Sequence, residues 1–438
     1  MEKVDVVIIG AGLAGLSAAY HLAAAGIETI VVERGDFPGA KNVTGGRLYL
    51  NPVRPYFPPD FWNDAPFERA VVKERLSMLA ARASTTVEFC SEKFREAPRP
   101  SYTLLRAKFD QWLADKARDA GALIIPKNQV DDLIFDGARV VGVKSTEAEL
   151  LCDVVVAADG VLSFIAEKAK MRGVPDPHHY AVGVKEIVEL PAKTIEDRFG
   201  VGAGEGAAQL FFGALTQGML GGGFLYTNQE SISLGMVVGI RSLMEQGRAT
   251  PSGRPARIEA PELTELLKAR PEIAPLVAGG NTVEYSAHVI PEGGVRAMPK
   301  LVGDGIVLAG DAAGFALNMA VTVRGMDFAL ASGALAARAI KDAKAQGDFS
   351  AASLGAYEQM LRDSFVLQDL QTFRSMLDVL DNPRMFTKYP EAIARIFEQL
   401  FSIDAKAKDK LSATVMREAA RHFGNLDVVR DAAGMLKV

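Results

Sequence analysis

Gly10, Gly12 and Gly15 fall at the spacing G-x-G-x-x-G, and an acid, Glu33, closes the apolar run that follows them. Glycines at that spacing let backbone come close to a pyrophosphate. A helix opening at the loop supplies N–H groups and positive dipole, and the acid can accept ribose hydroxyls. Ala14 within the loop and Arg34 beside the acid are further candidate contacts. Two later stretches repeat the theme of an apolar run entering an acidic turn: Ala158-Asp159-Gly160, and Gly310-Asp311-Ala312-Ala313-Gly314. A domain for NAD alone does not need the last turn. A flavin dinucleotide does, because its ribityl chain offers hydroxyls to a distant acid. Asp311 could equally cap a helix starting there, a common task for Asp.

The elements that must position these residues are legible around them. Residues 4–9 read as a buried strand, 13–25 as an alanine-rich helix closed by Gly26, and 27–32 as a second strand. Residues 6–26 are long enough to span a bilayer, but the glycines crowding their first half favour strand, loop and helix. Residues 151–157 and 305–309 read as further buried strands. Residues 181–285 alternate strand-like runs, at 224–226 and 231–238, with glycine turns at 202–206 and 221–223. Residues 250–257 read as an exposed loop. From 331 onward the pattern is helical, at 354–370 and 390–401, with a turn at Asp381-Asn382-Pro383. The expected fold is α/β: a discontinuous Rossmann-like dinucleotide domain (1–80, 100–180, 296–340), an inserted β-rich substrate domain (181–295) and a helical C-terminal region (341–438).

Composition narrows the function. The chain has 438 residues and a formal net charge of −5, with no long basic run, which argues against nucleic-acid binding. No basic segment and small-residue cleavage site precede the first strand, so a cytoplasmic protein is expected rather than a secreted one. Cys90 and Cys152 are the only cysteines, read as two reduced, buried thiols, and they cannot supply the four thiolates of an iron–sulfur cluster. The five histidines show no metal-ligand spacing, and no metal site is expected.

Together the glycine loop with Glu33, the Ala158-Asp159-Gly160 turn and Gly310-Asp311 resemble the FAD-binding signature shared by aromatic hydroxylases (the GR2 type), geranylgeranyl reductases and electron-transfer-flavoprotein:quinone oxidoreductases. Three longer stretches, PGAKNVTGGRLY (38–49), GGGFLYTNQESISLGMVVG (221–239) and GDAAGFALNMAVTVRGMDFALASG (310–333), are similar to the FixC family, and the similarity extends over essentially the whole chain. It implies one FAD, and as partners a FixAB-like electron-transfer flavoprotein, a FixX-type ferredoxin-like [4Fe–4S] subunit and a membrane quinone. The larger quinone oxidoreductases carry cluster cysteines near their C-terminus, whereas residues 341–438 hold none.

In such a flavoprotein the isoalloxazine carries the electrons, and no nucleophile–base set is needed. Gly45 and Gly46 are candidates for close backbone approach to the ring, or an ordinary turn. Gly325 is a candidate for the flavin edge. An arginine at the place of Arg106, ahead of an amphipathic helix at 109–120, is implied to reach the cofactor; the alternative is a solvated side chain. Lys41 and Asn42 could stabilise a reduced, anionic flavin. Leu210-Phe211-Phe212, Met219-Leu220 and Phe224-Leu225-Tyr226 could line an apolar entrance for quinone or simply be core. The resulting expectation is electron transfer from an NADH-oxidising, bifurcating partner to quinone, peripherally on the cytoplasmic face of the inner membrane, in a complex of the kind that serves nitrogen fixation. The alternatives are a prenyl reductase and an FAD-stabilised assembly subunit without turnover.

Overall fold

The computed structural model describes residues 3–42, 46–245, 258–423 and 426–436, so the loop expected at 250–257 lies outside the described residues. The chain forms two compact units. One comprises Met1–Ala70, Arg95–Tyr180 and His288–Arg374, the other Val71–Phe94, Ala181–Ala287 and Ser375–Val438.

In the first unit a parallel sheet runs in the order Ile306–Leu308, Glu149–Ala157, Lys3–Ile9, Thr29–Val32, Leu123–Ile125. Val7, Ile8, Val31, Val155 and Val307 are fully buried. Strands covered on both faces need no polar alternation, which is why they read as unbroken Val/Ile runs. The opening helix, Leu13–Ala24, packs against Met326–Gln346, a helix of 21 residues. Small residues set the spacing: a Cβ on Gly333 would strike the Ala14 carbonyl oxygen, and Ser17 Oγ donates to Leu330 O at 2.7 Å. Residues 6–26 are thus strand, loop and helix. Among the described residues no helix is long and apolar enough to cross a membrane.

Three local expectations change. The helix expected at 109–120 is Arg106–Asp119, so Arg106 is its first residue. The acidic turn at Gly310 opens only a short 3-10 helix, Gly310–Ala313, because Gly314 turns left-handed at φ +76° and ends it. No boundary falls at 341, since Met326–Gln346 runs through that position.

The second unit is built on an antiparallel sheet that includes Tyr180–Glu189, Ser231–Gly239, Gly221–Thr227 and Glu205–Gly213 as successive neighbours. Gln209 pairs with Leu225 and Phe211 with Gly223. Phe211, Met219 and Leu225 are buried with Leu263 and Leu267 of the helix Ala260–Lys268 in this unit's own core. Leu220 and Tyr226 are buried too, so most of the residues expected to line an apolar entrance are core. The reason is the pairing itself: alternate side chains of paired strands share the face that the helix covers. Of the two thiols expected to be buried, only Cys152 is, and burial pushes it up to about 12. Cys90 is exposed at the end of the strand Ser84–Cys90, most of whose residues face solvent.

The helix–helix contact predicts that Gly333→Val destabilises the first unit by about 2 to 3 kcal/mol, read as a lower denaturation midpoint. Gly347→Ala, beyond the same helix in open space, should cost less.

Candidate functional site

The site follows from register. Ile9 pairs with Val32 on one side and Ala157 on the other, Ala157 with Leu308, and Val32 with Ile125. The parallel strands therefore end at one level, and Gly10, Glu33, Ala158 and Gly310 leave the sheet along one edge. Ligands of open α/β sheets bind at that edge.

Gly10 N–H donates to Val32 O at 2.8 Å and has φ +100°, and a Cβ there would strike Ala158 O. Gly15, inside the helix, lies against the Gly10 carbonyl, so a Cβ would force helix and strand apart. Gly12 differs. It precedes the helix at φ −86°, and a Cβ there would come no nearer than 4.0 Å to Arg106 Nη2 and Asn42 Nδ2. The space in front of Gly12 is faced by two nitrogen donors. Ala14 is buried, its Cβ 2.7 Å from where a Cβ on Gly310 would stand. Glu33 is buried and accepts from Ala11 N–H at 2.8 Å through Oε2 and from Gly35 N–H at 2.6 Å through Oε1. Each oxygen keeps a lone pair for a ribose hydroxyl.

Arg106 is buried and held by a carboxylate that the sequence reading missed: Nε and Nη2 each donate to Asp110 at 2.7 Å. Asp110 Oδ2 also accepts from Asn42 Nδ2 at 2.6 Å. An acid four residues after an arginine on a helix is a readable signal. The solvated-arginine alternative is thereby excluded. Gly46 sits beside this cluster with φ +85°, its carbonyl accepting from Leu104 N–H at 2.7 Å. Gly45 lies outside the described residues. Lys41 and Arg34 are exposed, although Arg34, with Arg106, opposes protonation of His288, which burial already depresses.

Asp159 and Asp311 part company. Asp159 accepts from Ser163 Oγ at 2.8 Å and from Ile165 N–H at 3.2 Å, so its carboxylate is committed to the helix that follows. Gly160 beside it has φ +86° and open space where a Cβ would be. Asp311 lies inside the 3-10 helix, whose N-cap is Ala309, and no hydrogen bond among the described residues engages its carboxylate. Burial pushes that carboxyl up, while the Arg106 charge draws it down. The capping alternative therefore fails. Asp311, Ala312 and Gly314 border a small crevice shared with Val161, Arg172 and Tyr180. Gly325 precedes the 21-residue helix in extended backbone, φ −169°, with room around it. Glu292, which no motif marks, bonds Asn318, and burial pushes its carboxyl up to about 7.

The arrangement fits a dinucleotide: an open glycine face with donor nitrogens opposite, an anchored acid, and a carboxylate lacking a partner where ribityl hydroxyls could donate. Gly12→Val is expected to leave the FAD-free chain within about 1 kcal/mol of wild type, yet weaken FAD binding more than about tenfold. Denaturation and fluorescence titration read the two effects. For Glu292, a folded value above the ordinary 4.5 means stability is fully present below about 4.5 and lost as pH rises through about 7. Glu292→Gln should flatten that decline, read as denaturation midpoints at several pH values between 4 and 8; identical slopes in both chains would refute it.

Comparison with known proteins narrows the chemistry. The family model described as FAD dependent oxidoreductase matches residues 5–93, and the ETF-QO/FixC family C-terminal domain matches 376–438. The chain is 42% identical over 430 residues to the probable electron transfer flavoprotein-quinone oxidoreductase YdiS of Escherichia coli K12, covering 98% of this chain and 97% of that one. It is 43% identical to protein FixC of Salmonella typhi, over 98% and 97% of the two chains. Among solved structures, a geranylgeranyl bacteriochlorophyll reductase-like protein of Thermoplasma acidophilum is similar at TM-score 0.71 and 18% identity, over 98% of each chain. The myxobacterial chondrochloren halogenase CndH is similar at TM-score 0.65 and 21% identity, over 98% of this chain and 92% of that one. With relatives this similar over nearly their whole length, the chain belongs to the FixC and electron-transfer-flavoprotein:quinone oxidoreductase family of FAD-dependent oxidoreductases.

Proposed function

We propose that this chain accepts electrons from an electron-transfer flavoprotein and passes them through its FAD to a membrane quinone. The observation that carries the reading is whole-length similarity, at 42%, to a probable electron transfer flavoprotein-quinone oxidoreductase. The reading places NADH oxidation on a FixAB-like partner, where bifurcation would also reduce a low-potential ferredoxin or flavodoxin. Two cysteines cannot hold a four-thiolate cluster, so a [4Fe–4S] centre belongs to a separate FixX-type subunit. Because quinone tails stay in lipid, the chain works peripherally, on the cytoplasmic face.

FAD supplies two-electron acceptance and one- or two-electron donation. This chain's residues bind and orient it. Gly10, Gly12, Ala14 and Gly15 with the helix N-terminus take the pyrophosphate. Glu33 takes the adenosine ribose, with Arg34 at its exposed rim. Asp311, between Gly310 and Gly314, accepts from ribityl hydroxyls. Arg106, kept in place by Asp110, turns its positive charge toward the cofactor. Asp159 shapes the turn that leaves Gly160 open. Lys41, Asn42, Gly46 and Gly325 would border the ring, where Asn42, tied to Asp110, is a fixed donor.

Anaerobically reduced holoprotein should be reoxidised by a short-chain quinone and not by a polyprenyl substrate, followed as the return of flavin absorbance. Reoxidation by the polyprenyl substrate would make it a reductase of carbon–carbon double bonds, and by neither an assembly subunit. Iron and acid-labile sulfide should be absent from the isolated chain.

A further inference from the structure

Glu292 follows the strand Asn281–Pro291 and has no part in holding the dinucleotide. Its N–H donates to His179 O at 2.8 Å. A Cβ on the next residue, Gly293, would stand 2.8 Å from His179 Cβ, so the backbone is pressed against the turn Pro177–His179. The Glu292 carboxyl bonds Asn318. Asn318 Oδ1 accepts from Ala320 N–H at 3.0 Å, which leaves Nδ2 as the donor to Glu292. Asn318 in turn pairs with Val323, two residues ahead of Gly325. On the other side Pro291, Gly293 and Gly294 border the same small crevice as Asp311 and Gly314. Glu292 thus stands between the acid suited to the ribityl chain and the glycine expected at the flavin edge, and it is half-buried.

We propose that Glu292 is the proton donor for reduction of the acceptor quinone, with Asn318 as the residue that positions it. The inference deepens the quinone reading and rests on it. A quinone becomes a quinol by taking two electrons and two protons. Both electrons and one proton come from the reduced, anionic flavin, and the second O–H needs another source. As that O–H forms, the Glu292 O–H breaks and leaves a carboxylate, which Asn318 Nδ2 steadies until water returns the proton. A general acid serves best when its proton affinity lies near the working pH, and burial pushes this carboxyl up to about 7. The elements around it carry Arg172, His178, His179, Arg296, Asp311 and Arg324. Arg324 is engaged with Asp327 at 2.6 Å and with Asp369. None of these charges moves the Glu292 carboxyl, whose proton affinity burial raises and Asn318 lowers.

The test follows anaerobically reduced, FAD-loaded protein by stopped flow as a short-chain quinone reoxidises it, from about pH 5 to about pH 9. Wild type should be fastest in acid and lose rate as pH rises through about 7. Glu292→Gln keeps an oxygen for Asn318 but has no acid proton. It should be slower by about 100-fold at about pH 6, with no break near neutrality. Glu292→Asp should keep a break at a reduced rate. Asn318→Ala removes donation to the anion and should move the break up by about one pH unit. The ferricenium ion, which takes one electron and no proton, should reoxidise all these chains alike. A second readout needs no turnover: infrared spectra of the resting protein should show a protonated-carboxyl band that fades through about pH 7 and is missing from Glu292→Gln. Quinone rates and pH profiles equal in wild type and Glu292→Gln would overturn the proposal and leave the quinone reading in place. So would an equal slowing with ferricenium, which would make Glu292 a structural support of the flavin site. Wild type that no quinone reoxidises would overturn the quinone reading and the proposal together.

Discussion

Parallel register is the constraint on which everything else depends. Ile9, Val32, Ala157 and Leu308 end their strands side by side, although they come from places as distant in sequence as residues 9 and 308. A one-residue slip would turn each buried Val and Ile to the opposite face, into packing shaped for a different side chain. The glycine loop, the anchored Glu33, the Ala158 turn and Gly310-Asp311 therefore converge, and Glu33 ties itself to the loop through Ala11 N–H. The helix packing follows from the same edge: Gly333 and Ser17 let two helices close over the sheet while their N-termini remain on the ligand side.

Charge near that edge is arranged around Arg106. Asp110 satisfies two of its N–H groups and holds Asn42 as well, which leaves Asp311 as the carboxylate with nothing to accept from. A half-buried acid without a partner is costly in a folded chain. Its retention beside a buried cation is understandable if hydroxyl donors complete it.

Much of this was legible in the residues. The βαβ unit declares itself through unbroken apolar strands and glycine spacing, and Gly310-Asp311 through its repetition of strand and acidic turn. What could not be read had physical causes. Whether Asp159 or Asp311 is free depends on whether a nearby hydroxyl and N–H happen to point at it, and Ser163 does so only because the chain turns left-handed there. Phe211, Met219 and Leu225 look alike as channel or core until the covering helix is seen. Glu292 belongs to no motif, since its environment is assembled from Asn318 and the backbone of His179.

The central claim is that the glycine loop, Arg106 and Asp311 form one FAD site. The most direct measurement is a crystal structure of the FAD-bound protein. It should show the pyrophosphate over Gly10–Gly15 and a ribityl hydroxyl within hydrogen-bonding distance of the Asp311 carboxylate. FAD density elsewhere, or an Asp311 carboxylate still without a partner in the loaded protein, would contradict it.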